Sequence, residues 1–319
     1  MEFGFSLPGR GPLAGIDVVL KLAEKADALR FDSLFVTDHI VMPASSAKSV
    51  YPYTTSGQFP GGLAQDYLEP LATLSHLAHA TKRAKLGISV LVIPYRNPLL
   101  AAKMLATIDV LSKGRVTVGV GVGWMREEFE ALGAPDFDRR GAVTDEYLRI
   151  FKTLWTGSSA SFAGRFYRFD ALRCQPQPVQ KPHPPIWVGG HSKPALRRAA
   201  QLGDGWHPVG ANPAVPLPPA ELRALLDELY RLAEAHGRDP KSLTISYKAP
   251  VYDLGEPVLG PGGQRRPFSG GAAQVADDIA TFARLGVSEI VFDFRTESLA
   301  ESLERMERFG PVIRQTASL

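Results

Sequence analysis

The chain has 319 residues, of which 45% are hydrophobic and 22% are charged. This composition is typical of a globular protein with a sizeable core, and it excludes disordered and collagen-like classes. The formal net charge of +3 is spread along the sequence rather than gathered in one basic run. We therefore predict neither a nucleic-acid partner nor binding to a membrane surface.

The single cysteine, Cys174, excludes an internal disulfide framework and fits a reducing compartment. The opening residues MEFGFSLPGRG lack the basic and apolar regions of a secretory signal, and no stretch reaches the roughly 20 apolar residues of a membrane span. Prolines and glycines are scattered at turns rather than collected in a linker. We expect one cytoplasmic domain over residues 1–319.

Strand-like and helical patterns alternate along the chain. Helices are predicted over residues 14–30, 68–81, 98–111, 126–132 and 145–155, and an inserted hairpin over 161–174. Strands are predicted at residues 2–7, 32–37, 85–93, 115–120, 186–189, 205–208, 243–249 and 289–294.

Eight strands separated by helices favour a closed parallel barrel over an open sheet, because parallel neighbours need crossover connections. The predicted fold class is α/β, a (β/α)8 TIM barrel with loop insertions. Active sites of such barrels lie where the strands end. We therefore examined the segments that follow the second to sixth strands, at residues 37–39, 94–97, 121–124, 189–192 and 206–207.

Asp38 and His39 follow the second strand and form the first candidate site. A carboxylate and an imidazole at a barrel mouth suit proton transfer, and we predict that both are catalytic. The alternative is structural, with Asp38 capping a turn and His39 bonded to the backbone.

Residues Gly189, Gly190, His191 and Ser192 form a turn before a predicted helix with Pro194 in its first turn. Free first-turn amides, the helix dipole and two glycines together predict a phosphate site. Arg197 lies near enough to approach the anion. An ordinary turn capped by Ser192 remains open.

The segment GVGVGW contains Gly119, Gly121 and Gly123, but its spacing does not match the dinucleotide fingerprint G-x-G-x-x-G. Small residues here would instead let a flat ring lie against the mouth, with Trp124 as a wall or as core. His76 and His79 share a helix face, but no third ligand is evident, so no metal is predicted.

Several segments together resemble the bacterial-luciferase-like monooxygenase superfamily, in its branch of probable F420-dependent oxidoreductases. They are VTDHIVMP, LGISVLVIPYRNPLLAAKMLATIDVLSKGRVTVGVGVGW, EEFEALG, DRRGAVTDEYLRIFKTLW and PVQKPHPPIWVGGHSKPALRRAAQLGDGWHP. The resemblance implies a barrel with its cofactor in the mouth and with Asp38 and His39 near the ring. It also implies a non-prolyl cis peptide at Ser89-Val90 and a cofactor phosphate on the Gly189–Gly190 turn. Further cofactor contacts are expected from Gly121, Gly123, His191, Ser192, Arg197 and Trp206.

The resemblance places coenzyme F420 ahead of FMN, and an FMN enzyme would be a monooxygenase served by a partner flavin reductase. The rivals are a non-catalytic flavin-binding barrel and a lyase using Lys248. A homodimer is expected from the family. The likeness weakens over residues 43–65 and 250–269, which would form the rim of the mouth. The first of these loops is aromatic, with Tyr51, Tyr53, Phe59 and Tyr67, and it fits either a lid or a dimer contact.

Overall fold

The computed structural model describes residues 1–250, 253–260 and 263–316. Eight of its strands form a closed barrel in the order β1-β12-β9-β8-β7-β4-β3-β2. These strands are β1 (Glu2–Ser6), β2 (Ser33–Val36), β3 (Lys85–Val92), β4 (Val116–Gly121), β7 (Ile186–Gly189), β8 (Gly205–His207), β9 (Thr244–Ala249) and β12 (Glu289–Phe292).

All neighbouring barrel strands are parallel, and β1 closes the ring by pairing with both β12 and β2. The predicted (β/α)8 architecture is confirmed, with each predicted strand present within about two residues of its expected ends. The ladder between β3 and β4 is interrupted between Ile88 and Leu91. The interruption contains the Ser89–Val90 peptide, which is cis as the resemblance implies.

Nine α-helices lie among the described residues, and none of them is long and apolar enough to cross a membrane. They are α1 (Ile16–Ala28), α2 (Pro70–Ala80), α3 (Pro98–Leu111), α4 (Arg126–Ala131), α5 (Arg140–Thr156), α6 (Lys193–Leu202), α7 (Pro219–Ala235), α8 (Ala272–Arg284) and α9 (Leu299–Thr316).

The inserted hairpin is present as β5 (Ala160–Ala163) paired antiparallel with β6 (Arg168–Leu172). The buried carboxylate of Glu146 on α5 accepts hydrogen bonds from the backbone N–H groups of Arg165, Phe166 and Tyr167, which fixes the hairpin turn. A second small pair joins β10 (Asp253–Leu254) to β11 (Ser269–Gly270). Within the predicted rim loop 250–269, residues 251–252 and 261–262 lie outside the described residues.

The barrel interior contains a continuous chain of polar side chains, which we call the polar column. It runs from Ser33 and Glu289 near the start of β2 and β12 to the mouth. Ser246 donates to Glu289 at 2.6 Å, and its own carbonyl oxygen lies 2.9 Å from Nδ1 of His207. The opposite ring nitrogen of His207 lies 2.9 Å from Oγ of Ser89, and the column ends at Nζ of Lys248, 3.0 Å from the same Oγ.

Candidate functional site

The carboxyl ends of the barrel strands gather the candidate residues into one mouth. His39 follows β2, Ser89 and Val90 interrupt β3, Gly121 ends β4 and Gly189 ends β7. The strand-end rule thus brings together groups that are far apart in sequence. This arrangement makes the mouth the place to look for chemistry.

His39 is held by a buried glutamate that our sequence analysis did not single out. Its Nδ1 lies 2.6 Å from Oε2 of Glu128, a fully buried residue of α4. Because a carboxylate only accepts, Nδ1 carries a hydrogen and donates it to Glu128. Among the described residues Nε2 has no hydrogen-bond partner, so it is the nitrogen that is free to exchange a proton.

Glu128 is itself fixed by four donors. Oε1 accepts from the backbone N–H groups of Ile40 and Val41 at 2.7 and 3.2 Å, and Oε2 also accepts from the hydroxyl of Tyr95 at 2.9 Å. Burial, followed by the nearby carboxylate of Glu128, raises the pKa of Tyr95, which keeps its hydroxyl a donor. The pair between His39 and Glu128 is therefore held rigidly in place.

Aromatic rings surround His39 and leave 6% of the residue exposed. Its ring centroid lies 5.0 Å from that of Tyr67, 5.2 Å from Phe59 and 6.0 Å from Trp124. Tyr51 packs in turn on both Phe59 and Trp124. The aromatic residues predicted for the first rim loop thus cover the imidazole, which favours the lid interpretation for this segment.

The carboxylate of Asp38, which we predicted to be catalytic, makes the contacts of a structural residue. Its buried carboxylate binds both terminal nitrogens of Arg96 at 2.8 Å and accepts from the N–H of Val92 at 2.8 Å. The same guanidinium also binds Glu69 at 2.6 Å. With both oxygens engaged and the side chain wholly buried, Asp38 joins the segment after β2 to the end of β3 and the residues that follow it.

The half-buried side chain of Val90 lies between the ends of β4 and β7. A Cβ on Gly121 would overlap Cγ2 of Val90, and one on Gly189 would lie 2.9 Å from its Cγ1. Gly123 has a φ of +84°, which favours glycine. The glycines therefore leave room for the bulge at Ser89 and Val90, and they add no side-chain atoms to this side of the mouth.

The turn after β7 has a glycine in the left-handed region and a helix start capped by Ser192, which is compatible with both the predicted phosphate site and the alternative of an ordinary capped turn. Gly190 has a φ of +96°, and Ser192 caps α6 by accepting from the N–H of Ala195 at 3.3 Å. Arg197 is exposed on α6, whereas Arg198 is buried and bonded to Asp145. Arg197 is thus the arginine that could reach an anion on this turn.

The side chains of His191 and Trp206 hold this turn in place through hydrogen bonds. The N–H of Val209 donates to Nε2 of His191 at 3.0 Å, and burial lowers the pKa of His191 to about 4, so its ring is neutral. Trp206 is fully buried and donates to the carbonyl of Gly190 at 2.8 Å. Trp206, which we predicted to contact the cofactor, therefore also holds the backbone of Gly190 in place.

The chain belongs to the luciferase-like monooxygenase family, whose profile matches residues 1–252. Proteins that the chain resembles include an FMNH2-dependent monooxygenase and an F420-dependent dehydrogenase.

A curated relative, the FMNH2-dependent dimethylsulfone monooxygenase of Pseudomonas putida, is 36% identical over 61% of this chain and 53% of its own length. The match thus spans about half of that relative. Among solved structures, a monooxygenase from Streptomyces bottropensis aligns with a TM-score of 0.77 at 22% identity, covering 99% of this chain and all of that one. An F420-dependent secondary alcohol dehydrogenase in complex with an F420-acetone adduct gives 0.78 at 18% identity, covering 99% and 98%. These two likenesses show the fold.

Proposed function

We propose that this chain transfers hydride between bound coenzyme F420 and a small organic substrate, with His39 as the proton-transfer group. The observation that carries the proposal is the buried pair of His39 and Glu128, which presents a single free ring nitrogen to the barrel mouth. Hydride transfer to or from a carbon that bears oxygen is accompanied by movement of a proton at that oxygen. Nε2 of His39 is placed to take or return it.

The residues at the mouth fit a flat ring with an anionic tail. Gly121 and Gly189 have no side chains, so a flat ring would have room beside Val90. The turn at Gly190, the start of α6 and Arg197 would hold a phosphate. A bound deazaflavin supplies or accepts a hydride, whereas a bound reduced flavin supports oxygen insertion. The protein's part is to hold the ring, exclude water with its aromatic residues and manage the proton.

An FMN-dependent monooxygenase with a partner flavin reductase is the second candidate, and the 36% identity to an FMNH2-dependent enzyme favours it. The adjacent residues Asp38 and His39 after β2 favour F420 through the family branch that the sequence resembles. A non-catalytic flavin-binding barrel is less well supported, because it gives no role to the buried pair of His39 and Glu128.

The choice of cofactor is tested by titrating the purified protein with FMN and coenzyme F420 in parallel and following their fluorescence. We expect selective F420 binding, with FMN at least tenfold weaker. Selective FMN binding would establish the monooxygenase candidate instead. If neither ring binds, the proposed function is wrong, and loss of an assayed activity in Lys248→Ala would then support a lyase.

Replacing Gly121 by alanine should weaken cofactor binding at least tenfold, because the new methyl group overlaps Val90 and forces the mouth to shift. The measurement is the same fluorescence titration. The double variant Gly121→Ala/Val90→Ala removes the overlap and should recover most of the affinity. Unchanged binding in the single variant would show that this side of the mouth does not shape the cofactor site.

A further inference from the structure

A group of cationic side chains lies at the mouth beside the groups that the proposed reaction uses. Arg10 follows β1, Lys248 lies on β9 and Arg295 follows β12, so neighbouring strands of the barrel supply all three. Asp293 is the carboxylate among them, and it pairs with Arg295. The group therefore carries two more positive charges than negative ones. We call it the cationic cluster.

The single carboxylate is already committed to one of the three cations. Both oxygens of Asp293 accept from Nε of Arg295, at 2.8 and 2.7 Å, and Oδ2 also binds the terminal nitrogen Nη2. Arg10 instead donates to the carbonyl of Pro60 at 2.5 Å. Neither Arg10 nor Lys248 has a carboxylate oxygen within 4 Å in the parts of the chain that the structure describes.

Lys248 is the strongest sign of a missing partner, because it is only 8% exposed and its ammonium makes one hydrogen bond to the described residues, with Ser89. An ammonium has three donors, and a buried charge without a counterion is costly. Burial is the main cause that lowers the pKa of Lys248 to about 8. The nearby Asp293 raises this pKa, whereas the positive charges of Arg295 and Arg10 lower it further. A bound anion would supply both the counter-charge and the acceptors.

The polar column fixes Lys248 rather than neutralising it. Nδ1 of His207 donates to the carbonyl of Ser246, so Nε2 accepts the hydroxyl hydrogen of Ser89. The oxygen of Ser89 is then free to accept from Lys248. Burial and the nearby Lys248 lower the pKa of His207 to about 3, so this histidine stays neutral and adds no charge of its own.

An open cleft leads from solvent to Arg10, Asp293 and Arg295 of the cationic cluster, while Lys248 is buried and bonded to Ser89. The cleft has a volume of about 260 Å³, and Arg10, Gln65, Pro250, Asp293 and Arg295 are among its lining residues. Arg10 lies at its edge with its guanidinium 4.9 Å above the ring of Phe59, one of the rings that cover His39. The ring of Phe59 thus lies between this edge of the cleft and the imidazole of His39.

We infer that the cationic cluster binds the acidic group of the substrate, which is an organic anion such as a carboxylate or a sulfonate. Lys248 and Arg10 would contact the anion, and Arg295, held by Asp293, would add long-range attraction. The inference rests on the proposed function in one respect, that the bound anion is the substrate of the redox reaction. Binding itself is independent of the cofactor.

The test compares anions with neutral molecules of the same shape by isothermal titration calorimetry, with and without saturating cofactor. Methanesulfonate is paired with dimethyl sulfone, and p-toluenesulfonate with methyl p-tolyl sulfone, each pair differing by one oxygen in place of a methyl group. We expect at least one anion to bind tenfold or more tightly than its neutral partner. Lys248→Met and Arg10→Gln should each remove most of that preference.

The control is Lys21→Met, which removes an exposed lysine of α1 and should leave the preference unchanged. Circular dichroism and thermal unfolding establish that each variant is folded, and Arg10→Gln serves if Lys248→Met is not. Equal binding within both pairs, or a preference that survives in a folded Lys248→Met or Arg10→Gln variant, would overturn the anion site. Anion preference without binding of FMN or F420 would instead refute the proposed function and keep the site.

Discussion

Alanine in place of His39 should lower kcat by about 10² to 10⁴-fold while the affinity for the cofactor stays within about threefold. The reason is that Nε2 is the free nitrogen of a pair whose other nitrogen is held by Glu128 at 2.6 Å. The measurement is single-turnover oxidation or reduction of the bound cofactor by a substrate found in a screen, followed by stopped-flow absorbance.

Two further variants separate the chemistry of His39 from its packing. His76→Ala removes an exposed histidine on α2 and should leave turnover unchanged. Glu128→Gln keeps the shape of the positioning residue but weakens its hold on Nδ1, so it should lower kcat less than His39→Ala does and shift the pH profile of kcat. Full turnover in a folded His39→Ala variant would remove this histidine from the mechanism.

Replacing Asp38 by alanine should lower the free energy of unfolding by about 3 kcal/mol, because it leaves the guanidinium of Arg96 buried with one partner instead of two. That remaining partner, Glu69, is 35% exposed and therefore a weaker counter-charge. Equilibrium urea denaturation of the protein measures the change. The N–H of Val92 also loses its acceptor, which adds to the cost.

Two control variants test whether the effect of Asp38→Ala comes from breaking a buried ion pair. Glu130→Ala breaks an exposed pair with Lys48 and should change the free energy of unfolding by about 0–1 kcal/mol. The double variant Asp38→Ala/Arg96→Leu removes both charges and should recover part of the loss. If Asp38→Ala alone costs no more than Glu130→Ala, the buried ion pair does not stabilise the mouth.

The sequence was sufficient for the barrel because its strands are short apolar runs with helical segments between them. The helix 98–111 begins after Asn97, whose side chain caps it, and Pro98 fits its first turn, so both local signals agree with the structure. Helix α5 begins at Arg140, five residues earlier than predicted. Its first turn is stabilised from outside, since Arg198 donates to the carbonyl of Gly141 and binds Asp145.

The site could be predicted only where a local pattern marked it. Glu127 and Glu128 are adjacent and chemically alike, yet Glu127 binds the loop at Lys48 and Ser49 while Glu128 enters the core. A helix turns about 100° per residue, so only the packing of α4 decides which of the two faces His39. Phe129 is buried beside Glu128, but an apolar neighbour one position away does not show which glutamate faces inward.

Arg10 and Arg295 were missed for a different reason. Both follow barrel strands, the first and the last, and the rule that chemistry lies at strand ends applies to them as well as to the second to sixth strands. Their partnership could not be predicted from local pattern, because 285 positions separate them and only closure of the barrel brings β1 beside β12. Long-range ring closure is a property of the whole sheet.

Under the proposed function, the rings that cover His39 also predict a limit on turnover. Phe59 and Tyr67 belong to the loop between β2 and α2, and the imidazole they cover is 6% exposed. A substrate that exchanges a proton with Nε2 has to displace these rings, so we expect each cycle to include an opening of this loop. A rise in solvent viscosity that slows the loop should then slow the whole cycle even if the bond-breaking step is unchanged.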